Sequence, residues 1–195
     1  SPWWSLHFQL VCGKLGGFLR CYLPPSLFSC WIMKLVALGS NLPSSLGSPA
    51  ENVRKAVKLL AANDFKIIAR GDLYETAPVP VSDQPNFINT VIQIDFSGTP
   101  ERALEICLNV EREMGRVRGQ RNEARIIDID LIAWDNKVMS GNLILPHPRL
   151  HERAFVLYPL CDIAPEWVHP LMQRNAAELK VALPPAGIEE AIEQW

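Results

Sequence analysis

Residues 86–96 read NFINTVIQIDF, and the alternation in this stretch decides how the elements around it are interpreted. Its even-numbered apolar residues share one face of an extended chain: Ile88, Ile92, Ile94 and Phe96. Phe87, Asn89 and Val91 share the opposite face, because successive side chains of a strand point to opposite sides. The stretch therefore predicts a strand with one largely apolar face.

A strand, a helix and another strand are predicted upstream. The run KLVALGSNL at residues 34–42 ends in Gly-Ser-Asn, which is typical of a strand entering a turn. Ser48 and Glu51 form a capping box with proline at the first helical position, so a helix begins there. Residues 65–76, FKIIARGDLYET, predict the next strand, and the proline-rich residues 77–85 predict a long loop that could carry function.

A helix, a strand and further helices are predicted downstream. Thr99 is a good N-cap before Pro100. The apolar stripe of the helix recurs at helical spacing: Ala103, Cys107, Val110 and Met114. Residues 125–134, RIIDIDLIAW, predict a strand, and residues 152–161 and the tail predict helices. The order β-α-β-β-α-β predicts an α+β, ferredoxin-like core, an antiparallel sheet with helices packed on one face and a C-terminal helical extension.

The composition is that of one soluble domain and not of a disordered or membrane protein. Of the 195 residues 48% are hydrophobic, and the formal net charge is −2. A charge this close to neutral argues against a general nucleic-acid binder. After Met33 the sequence contains only Cys107 and Cys161, and neither belongs to a C-x-x-C pattern. We therefore expect no zinc site, no disulfide framework and a cytoplasmic setting.

Residues 1–32 differ from the rest of the chain in composition. They contain three of the five cysteines and three of the six tryptophans, and Lys14 and Arg20 are their only charged residues. Arg20 and the prolines after it interrupt any apolar run long enough for a signal peptide or a membrane span. We expect residues 1–32 to be a leader outside the fold, translation to start at Met33, and residues 33–195 to form a single domain.

Asp128 and Asp130 lie two residues apart in a predicted strand, so their carboxylates share one face. Ile127, Ile129 and Leu131 take the other face. Two carboxylates this close repel each other unless a cation balances them, and Mg²⁺ binds hard oxygen ligands of this kind. A bare D-x-D pattern is more often the solvated side of a strand, so the pair alone is a weak signal.

Four arginines precede or adjoin this pair: Arg116, Arg118, Arg121 and Arg125. Guanidinium groups are preferred partners of phosphate oxygens, and Mg²⁺-binding acids beside them are typical of a nucleotide polyphosphate site. Glu123 interrupts the basic run, which leaves some room for an ordinary solvated charge run.

Phe87 and Asn89 combine a stacking surface with an amide donor and acceptor, which together suit a flat heterocycle. Such a pair is also common in ordinary packing. His147 lies between two prolines, and Arg153 follows six residues later. A histidine beside a phosphate site could donate a hydrogen bond to it, although a lone histidine is usually structural.

From Met33 to about Pro170 the chain resembles the 6-hydroxymethyl-7,8-dihydropterin pyrophosphokinases of folate biosynthesis. Five motifs carry the resemblance in order: ALGSNL, YETAP leading to DQPNFINTV, GRVR, R-x-x-D-I-D-L-I, and LPHPRLHERAFVLYPLCDIAPEW. The resemblance implies a ferredoxin-like monomer that moves the β,γ-diphosphate of ATP onto the hydroxymethyl oxygen of the pterin and releases AMP. It also implies two Mg²⁺ ions on Asp128 and Asp130.

The resemblance assigns roles to further residues. The phosphate site and its arginine loop match Arg116, Arg118, Arg121 and Arg125, of which Arg116 and Arg125 are expected to be catalytic. Other ATP contacts match Glu111, His147 and Arg153. The pterin slot matches Gly39, Ser40, Asn41, Thr76, Ala77, Val79, Phe87, Asn89 and Phe155. The chain departs from the family at Asn122, Glu123 and Ala124, where a bulky residue followed by Gly-Pro is common.

Two other functions compete with this interpretation. A different Mg²⁺-dependent nucleotide-transfer enzyme could use a D-x-D pair, but it would release diphosphate from ATP. A ferredoxin-like RNA-binding module would need stacking aromatics and basic residues on its central strands. The two aspartates would repel an RNA backbone, so we expect small-molecule substrates, with no nucleic acid and no membrane as partners.

Overall fold

The computed structural model describes residues 33–116, 123–184, 188–193 and 195. The leader predicted at residues 1–32 lies outside the described residues, as do Arg118 and Arg121. The elements, in chain order, are β1 (Lys34–Ser40), α1 (Pro49–Ala62), β2 (Lys66–Arg70), β3 (Leu73–Thr76), β4 (Phe87–Asp95), α2 (Pro100–Glu113), β5 (Asp128–Trp134), a 3-10 turn (Leu150–Glu152), α3 (Ala154–Ile163), α4 (Ala176–Val181) and β6 (Ile188–Glu193).

The six strands form one antiparallel sheet in the order β5-β1-β4-β3-β6, and β2 also pairs with β4. Strand β1 lies between β5 and β4, as the ferredoxin-like arrangement requires. The predicted strand order β-α-β-β-α-β is therefore confirmed.

The single strand predicted at residues 65–76 is two strands, β2 and β3, separated by Gly71 and Asp72. Helix α3 presses against this break, because a Cβ atom on Gly71 would lie 2.3 Å from the carbonyl oxygen of Pro159. The Gly71 backbone stays bonded to β4: its N–H donates to the Val91 oxygen (2.9 Å), and its oxygen accepts from Thr90 Oγ1 (2.7 Å). Only glycine allows this close approach.

Helices α1 and α2 cover one face of the sheet. Ser48 and Glu51 form the predicted capping box, and Thr99 caps α2 as predicted. Apolar residues of both helices pack against the sheet and form one core with it. Its largest fully buried side chains include Leu38, Phe65 and Ile92. The alternation seen in the sequence therefore orients β4 correctly.

Helices α3 and α4 cover the opposite face, so the expectation of helices on one face only was incomplete. A second core of Leu35, Val91, Leu157 and Trp167 lies between them and the sheet. The odd-numbered face of β4 is apolar at Val91, and it needs this cover because a buried face must pack against another element. The helix predicted around residues 152–161 is confirmed as α3, which begins at Ala154 after the 3-10 turn and ends at Ile163.

The C-terminal extension contains the helix α4, as predicted, and a strand that was not predicted. Strand β6 pairs with β3, more than one hundred residues earlier in the chain. Trp195 follows it, donating from Nε1 to the Gly71 oxygen (2.6 Å), with the Arg70 guanidinium 4.8 Å from its ring centroid. Within the described ranges, each helix is too short or too polar to span a bilayer.

Candidate active site

A row of three residues crosses the sheet and organises the site. In the strand register Gly39 of β1 pairs with Asn89 of β4 on one side and with Asp128 of β5 on the other. Directly opposed residues of antiparallel strands point to the same face. Because neighbouring strands are about 4.8 Å apart, the Cα atoms of Asn89 and Asp128 are about 10 Å apart. Gly39, which lies between them, contributes no side chain.

A cavity of about 490 Å³ opens over this row. It is lined by Ala37, Leu38, Gly39, Thr76, Ala77, Pro78, Val79, Pro80, Gln84, Phe87, Asn89, Arg116, Glu123, Ala124, Arg125, Asp128, Asp130, His147, Arg149, Arg153 and Phe155. One end of the lining is apolar and aromatic, and the other is charged. The cavity can thus hold a flat ring at one end and a polyanion at the other.

Asn89 is held at the apolar end by β3. Its Nδ2 donates to Thr76 Oγ1 (2.8 Å), so its amide oxygen is directed toward Gly39. A Cβ atom on Gly39 would lie only 2.7 Å from that oxygen and 3.9 Å from a ring carbon of Phe87. Gly39 is therefore required by the close approach of the amide.

Gly39→Ala should raise the KM for the ring-shaped substrate about tenfold, because the new methyl group displaces the Asn89 amide. Steady-state kinetics would measure the change. In an Asn89→Ala background the same glycine substitution should raise the KM little, because the amide that would clash with the new methyl group is absent. Equal losses in both backgrounds would contradict this account.

Asp128 is the hub of the charged end. Its Oδ1 accepts from Arg116 (2.5 Å) and its Oδ2 accepts from Arg125 (2.8 Å). Arg116 also bonds Glu111, whose Oε1 accepts the Ile129 backbone N–H (2.7 Å). Helix α2 therefore fixes both the Arg116 guanidinium and the start of β5 through one buried carboxylate.

Asp130 follows on the same face, opposite Ala37 of β1. Burial raises the pKa of its carboxyl to about 6, and the charge of Asp128 adds to this effect. Arg153 and Arg116 act in the other direction. A carboxyl in this position gains most from an added cation, which is the chemistry expected of a metal ligand.

His147, Arg149 and Arg153 also line the cavity that contains the two aspartates. Burial, together with the charges of Arg153 and Arg149, lowers the pKa of His147 to about 4, so the ring is neutral at physiological pH. Its Nδ1 accepts the Arg149 backbone N–H (3.2 Å), which leaves the ring proton on Nε2 as a donor. The Arg153 guanidinium lies 5.2 Å from the Phe155 ring centroid.

The structure brings most of the predicted site residues around the cavity: Gly39, Thr76, Ala77, Val79, Phe87, Asn89, Arg116, Arg125, Asp128, Asp130, His147, Arg153 and Phe155. Ser40, Asn41 and Glu111 do not line it. Arg118 and Arg121 fall outside the described residues. Arg149 and Gln84 line the cavity but were not singled out, although the HPR triplet contains Arg149.

Asn41 supports the cavity from behind. Its Nδ2 donates to the Pro85 oxygen (3.2 Å) and to Gln84 (3.3 Å), and its Oδ1 accepts the Arg125 backbone N–H (2.7 Å). The buried Asn41 thus joins the proline-rich loop at residues 77–85 to the arginine that contacts Asp128. It positions both ends of the cavity at once.

The chain is similar to known proteins in both sequence and fold. Residues 35–165 match the family model described as 7,8-dihydro-6-hydroxymethylpterin-pyrophosphokinase (HPPK). The 2-amino-4-hydroxy-6-hydroxymethyldihydropteridine pyrophosphokinase of Methylorubrum extorquens is 41% identical over 151 residues, covering 76% of this chain and 94% of that protein. The mitochondrial folate synthesis bifunctional protein of Arabidopsis thaliana is 38% identical over 130 residues, covering 66% of this chain and 23% of that protein.

A crystal structure of Plasmodium falciparum HPPK-DHPS wild type with pteroate has the same fold. It aligns with a TM-score of 0.60 at 15% identity, covering 76% of this chain and 42% of that chain. The chain thus spans almost all of the bacterial relative but less than half of the fused proteins.

Proposed function

The chain belongs to the 7,8-dihydro-6-hydroxymethylpterin-pyrophosphokinase family, and on this premise we propose how its cavity performs the reaction. It is a pyrophosphokinase of folate synthesis with ATP as co-substrate. The enzyme transfers the β,γ-diphosphate of ATP to the hydroxymethyl oxygen of the pterin, and AMP is the other product.

The pterin binds at the apolar end of the cavity. The Phe87 and Phe155 rings line this end and offer stacking surfaces. The oxygen of Asn89, held by Thr76, accepts a hydrogen bond from the pterin edge. A site built around such a bond rejects rings that lack the matching donor, because the amide would be left unpaired.

The phosphates of ATP bind at the charged end. Arg116 and Arg125, which bond the two oxygens of Asp128, are in position to bind the phosphates. His147 can donate to a phosphate oxygen from Nε2. A neutral histidine keeps this donor over the whole physiological pH range, because its pKa is lowered to about 4. Glu111 does not line the cavity but bonds Arg116, so we propose that it acts on ATP through this arginine; the direct ATP contact stays a prediction.

Asp128 and Asp130 fit a magnesium site. A carboxylate has about four lone-pair positions, so Asp128 can accept from two arginines and still bind an ion. Among the described residues, no group of three or more histidine, cysteine or acidic side chains could hold a metal. Mg²⁺ needs only one or two carboxylates and completes its shell with water and phosphate oxygens. Two Mg²⁺ ions, if held by Asp128 and Asp130, would supply positive charge that offsets the charge of the phosphates.

The protein itself contributes position and charge. The transfer needs the hydroxymethyl oxygen in line with the β-phosphorus, and holding both substrates on one rigid sheet supplies this alignment. The arginines stabilise the charge that develops on the transferred group and on AMP. The reaction therefore requires no covalent nucleophile.

The row Asn89–Gly39–Asp128 is the observation that carries the proposal. It puts an amide suited to a heterocycle and a carboxylate suited to a cation on one face of the sheet, with only the backbone of Gly39 between their strands. A pterin on Asn89 then lies across Gly39 and points toward the aspartates. We propose further that the chain acts as a cytoplasmic monomer, because described residues of this one chain line both ends of the cavity.

The deciding experiment is incubation with ATP, Mg²⁺ and 6-hydroxymethyl-7,8-dihydropterin, followed by chromatography of the nucleotides and pterins. We expect AMP and pterin diphosphate in equal amounts, and neither product when the pterin or Mg²⁺ is omitted. Formation of ADP, release of free diphosphate, or no turnover would overturn the assignment.

A further inference from the structure

A cluster of three aromatic side chains with buried nitrogens lies outside the cavity. We call His151, Trp167 and His169 the His-Trp cluster. The ring centroid of His169 is 5.8 Å from that of His151 and 5.7 Å from that of Trp167. His151 Nδ1, Trp167 Nε1 and His169 Nε2 are all buried, and none has a hydrogen-bond partner within the described part of the chain. Buried polar atoms of this kind call for an explanation, because each unpaired one is costly.

The role of His169 follows from its other ring nitrogen. Its Nδ1 accepts the backbone N–H groups of Leu171 and Met172, each at 3.2 Å. Burial lowers the pKa of His169 to about 4, so the ring is neutral at physiological pH. A neutral imidazole has one proton, which must then lie on Nε2. His169 therefore presents a donor to the cluster and cannot ligate a metal ion there.

The other two members complete a set of two donors and one acceptor. The indole of Trp167 can only donate. His151 Nε2 lies 3.6 Å from Glu152 Oε1, and we assign the His151 proton to Nε2, on the side of this carboxylate. His151 Nδ1 is then an acceptor.

We propose that the His-Trp cluster binds one buried water molecule, which accepts from Trp167 and His169 and donates to His151. The His169 ring contacts both other rings edge to face, so the three unpartnered nitrogens belong to one contiguous buried cluster. Buried waters typically make about three hydrogen bonds, and this site supplies three. An anion would need a third donor in place of the His151 acceptor.

The water joins two parts of the structure. Trp167 and His169 belong to a backbone-bonded segment, in which the Trp167 oxygen accepts the Ala176 N–H (2.9 Å) and the His169 N–H donates to the Arg174 oxygen (2.9 Å). His151 belongs to the 3-10 turn instead. The water therefore anchors this turn to a rigid part of the fold.

The 3-10 turn Leu150–Glu152 lies directly between Arg149 and Arg153, which both line the cavity. Anchoring the turn limits the movement of the two guanidinium groups. His151 is thus a positioning residue for the nucleotide end of the cavity. This positioning role rests on the proposed function, whereas the presence of the water does not.

A crystal structure at about 1.5 Å resolution and NMR of ¹⁵N-histidine-labelled protein at pH 8 test the water directly. We expect a density peak within hydrogen-bond distance of all three nitrogens, and Nε2–H tautomers for both histidines. A structure without such a peak would overturn the proposal. So would a proton on His151 Nδ1, because three donors call for an anion. Neither measurement depends on the activity of the protein.

Two matched substitutions test the positioning role. His151→Asn can keep an acceptor near the Nδ1 position, whereas His151→Leu removes it. We expect the leucine variant to lose the water and to raise the KM for ATP about fivefold, with kcat within about twofold. The asparagine variant should retain the water and a KM within about twofold of the parent. An equal rise in KM for both variants, or no rise in either, would contradict the positioning role. The water itself is tested separately, by the crystal structure and the NMR tautomers.

Discussion

Asp130→Asn should lower kcat for AMP formation about 10³-fold, equivalent to about 4 kcal/mol of transition-state stabilisation. The substitution keeps the shape of the side chain but removes the charge that would hold a cation beside Asp128. Asp130 is a cleaner choice than Asp128, which also fixes Arg116 and Arg125. Quenched-flow or steady-state assays over a range of Mg²⁺ concentrations would measure the loss.

The folded state should not suffer from this change. Burial raises the pKa of Asp130 to about 6 in the folded protein, so its ionised form opposes folding above that pH. The thermal midpoint of Asp130→Asn at pH 8 should therefore equal or exceed that of the parent. Asp135→Asn is the matched control, because Asp135 pairs with Lys34 outside the cavity (3.3 Å). Near-normal kcat in Asp130→Asn would remove the metal role.

Asn89→Leu should lower kcat/KM for the pterin about 100-fold, equivalent to about 2.7 kcal/mol. Leucine has nearly the same volume but cannot accept from the pterin edge, and it leaves the Thr76 hydroxyl without its amide donor. Most of the loss should appear in the KM for the pterin and little in the KM for ATP, because the nucleotide end lies two strands away. Fluorescence titration with the pterin should give a Kd that rises from parent to variant by about the same factor as the KM.

Asn86→Leu provides the control for this prediction. Asn86 precedes the same strand and donates to Glu75 Oε1 (3.0 Å), but it does not line the cavity. Its kinetic constants should stay close to those of the parent. If both leucine variants lose pterin affinity equally, strand β4 is damaged and Asn89 has no specific role.

Local patterns in the sequence predicted much of the fold. Ser48 and Thr99 cap their helices because capping depends on residues three positions apart, which a sequence displays directly. The break between β2 and β3 was missed because it depends on Pro159, which approaches Gly71 only in the folded chain. Strand β6 was missed for the same reason, since its partner β3 is far away in sequence.

The candidate site likewise has some features that follow from local sequence and others that depend on contacts between distant segments. The shared face of Asp128 and Asp130 follows from strand periodicity, whereas their position relative to Asn89 depends on the register of two strands with β1. The register puts Gly39 between them, and no local pattern reveals this. Family resemblance named Gly39 and Asn41 as parts of the pterin slot, but only the contacts distinguish the floor residue from the supporting one.

The C-terminal strand also changes how the sheet meets other molecules. Without β6 the outer edge of the sheet beside the cavity would be β3, with the sequence LYET and unpaired backbone groups. An open edge of this kind can template pairing with a second copy and lead to aggregation. Strand β6 (Ile188–Glu193) pairs with β3 and so satisfies that edge. Backbone pairing with β6 therefore removes this edge of β3 as a place where a second copy could add a strand.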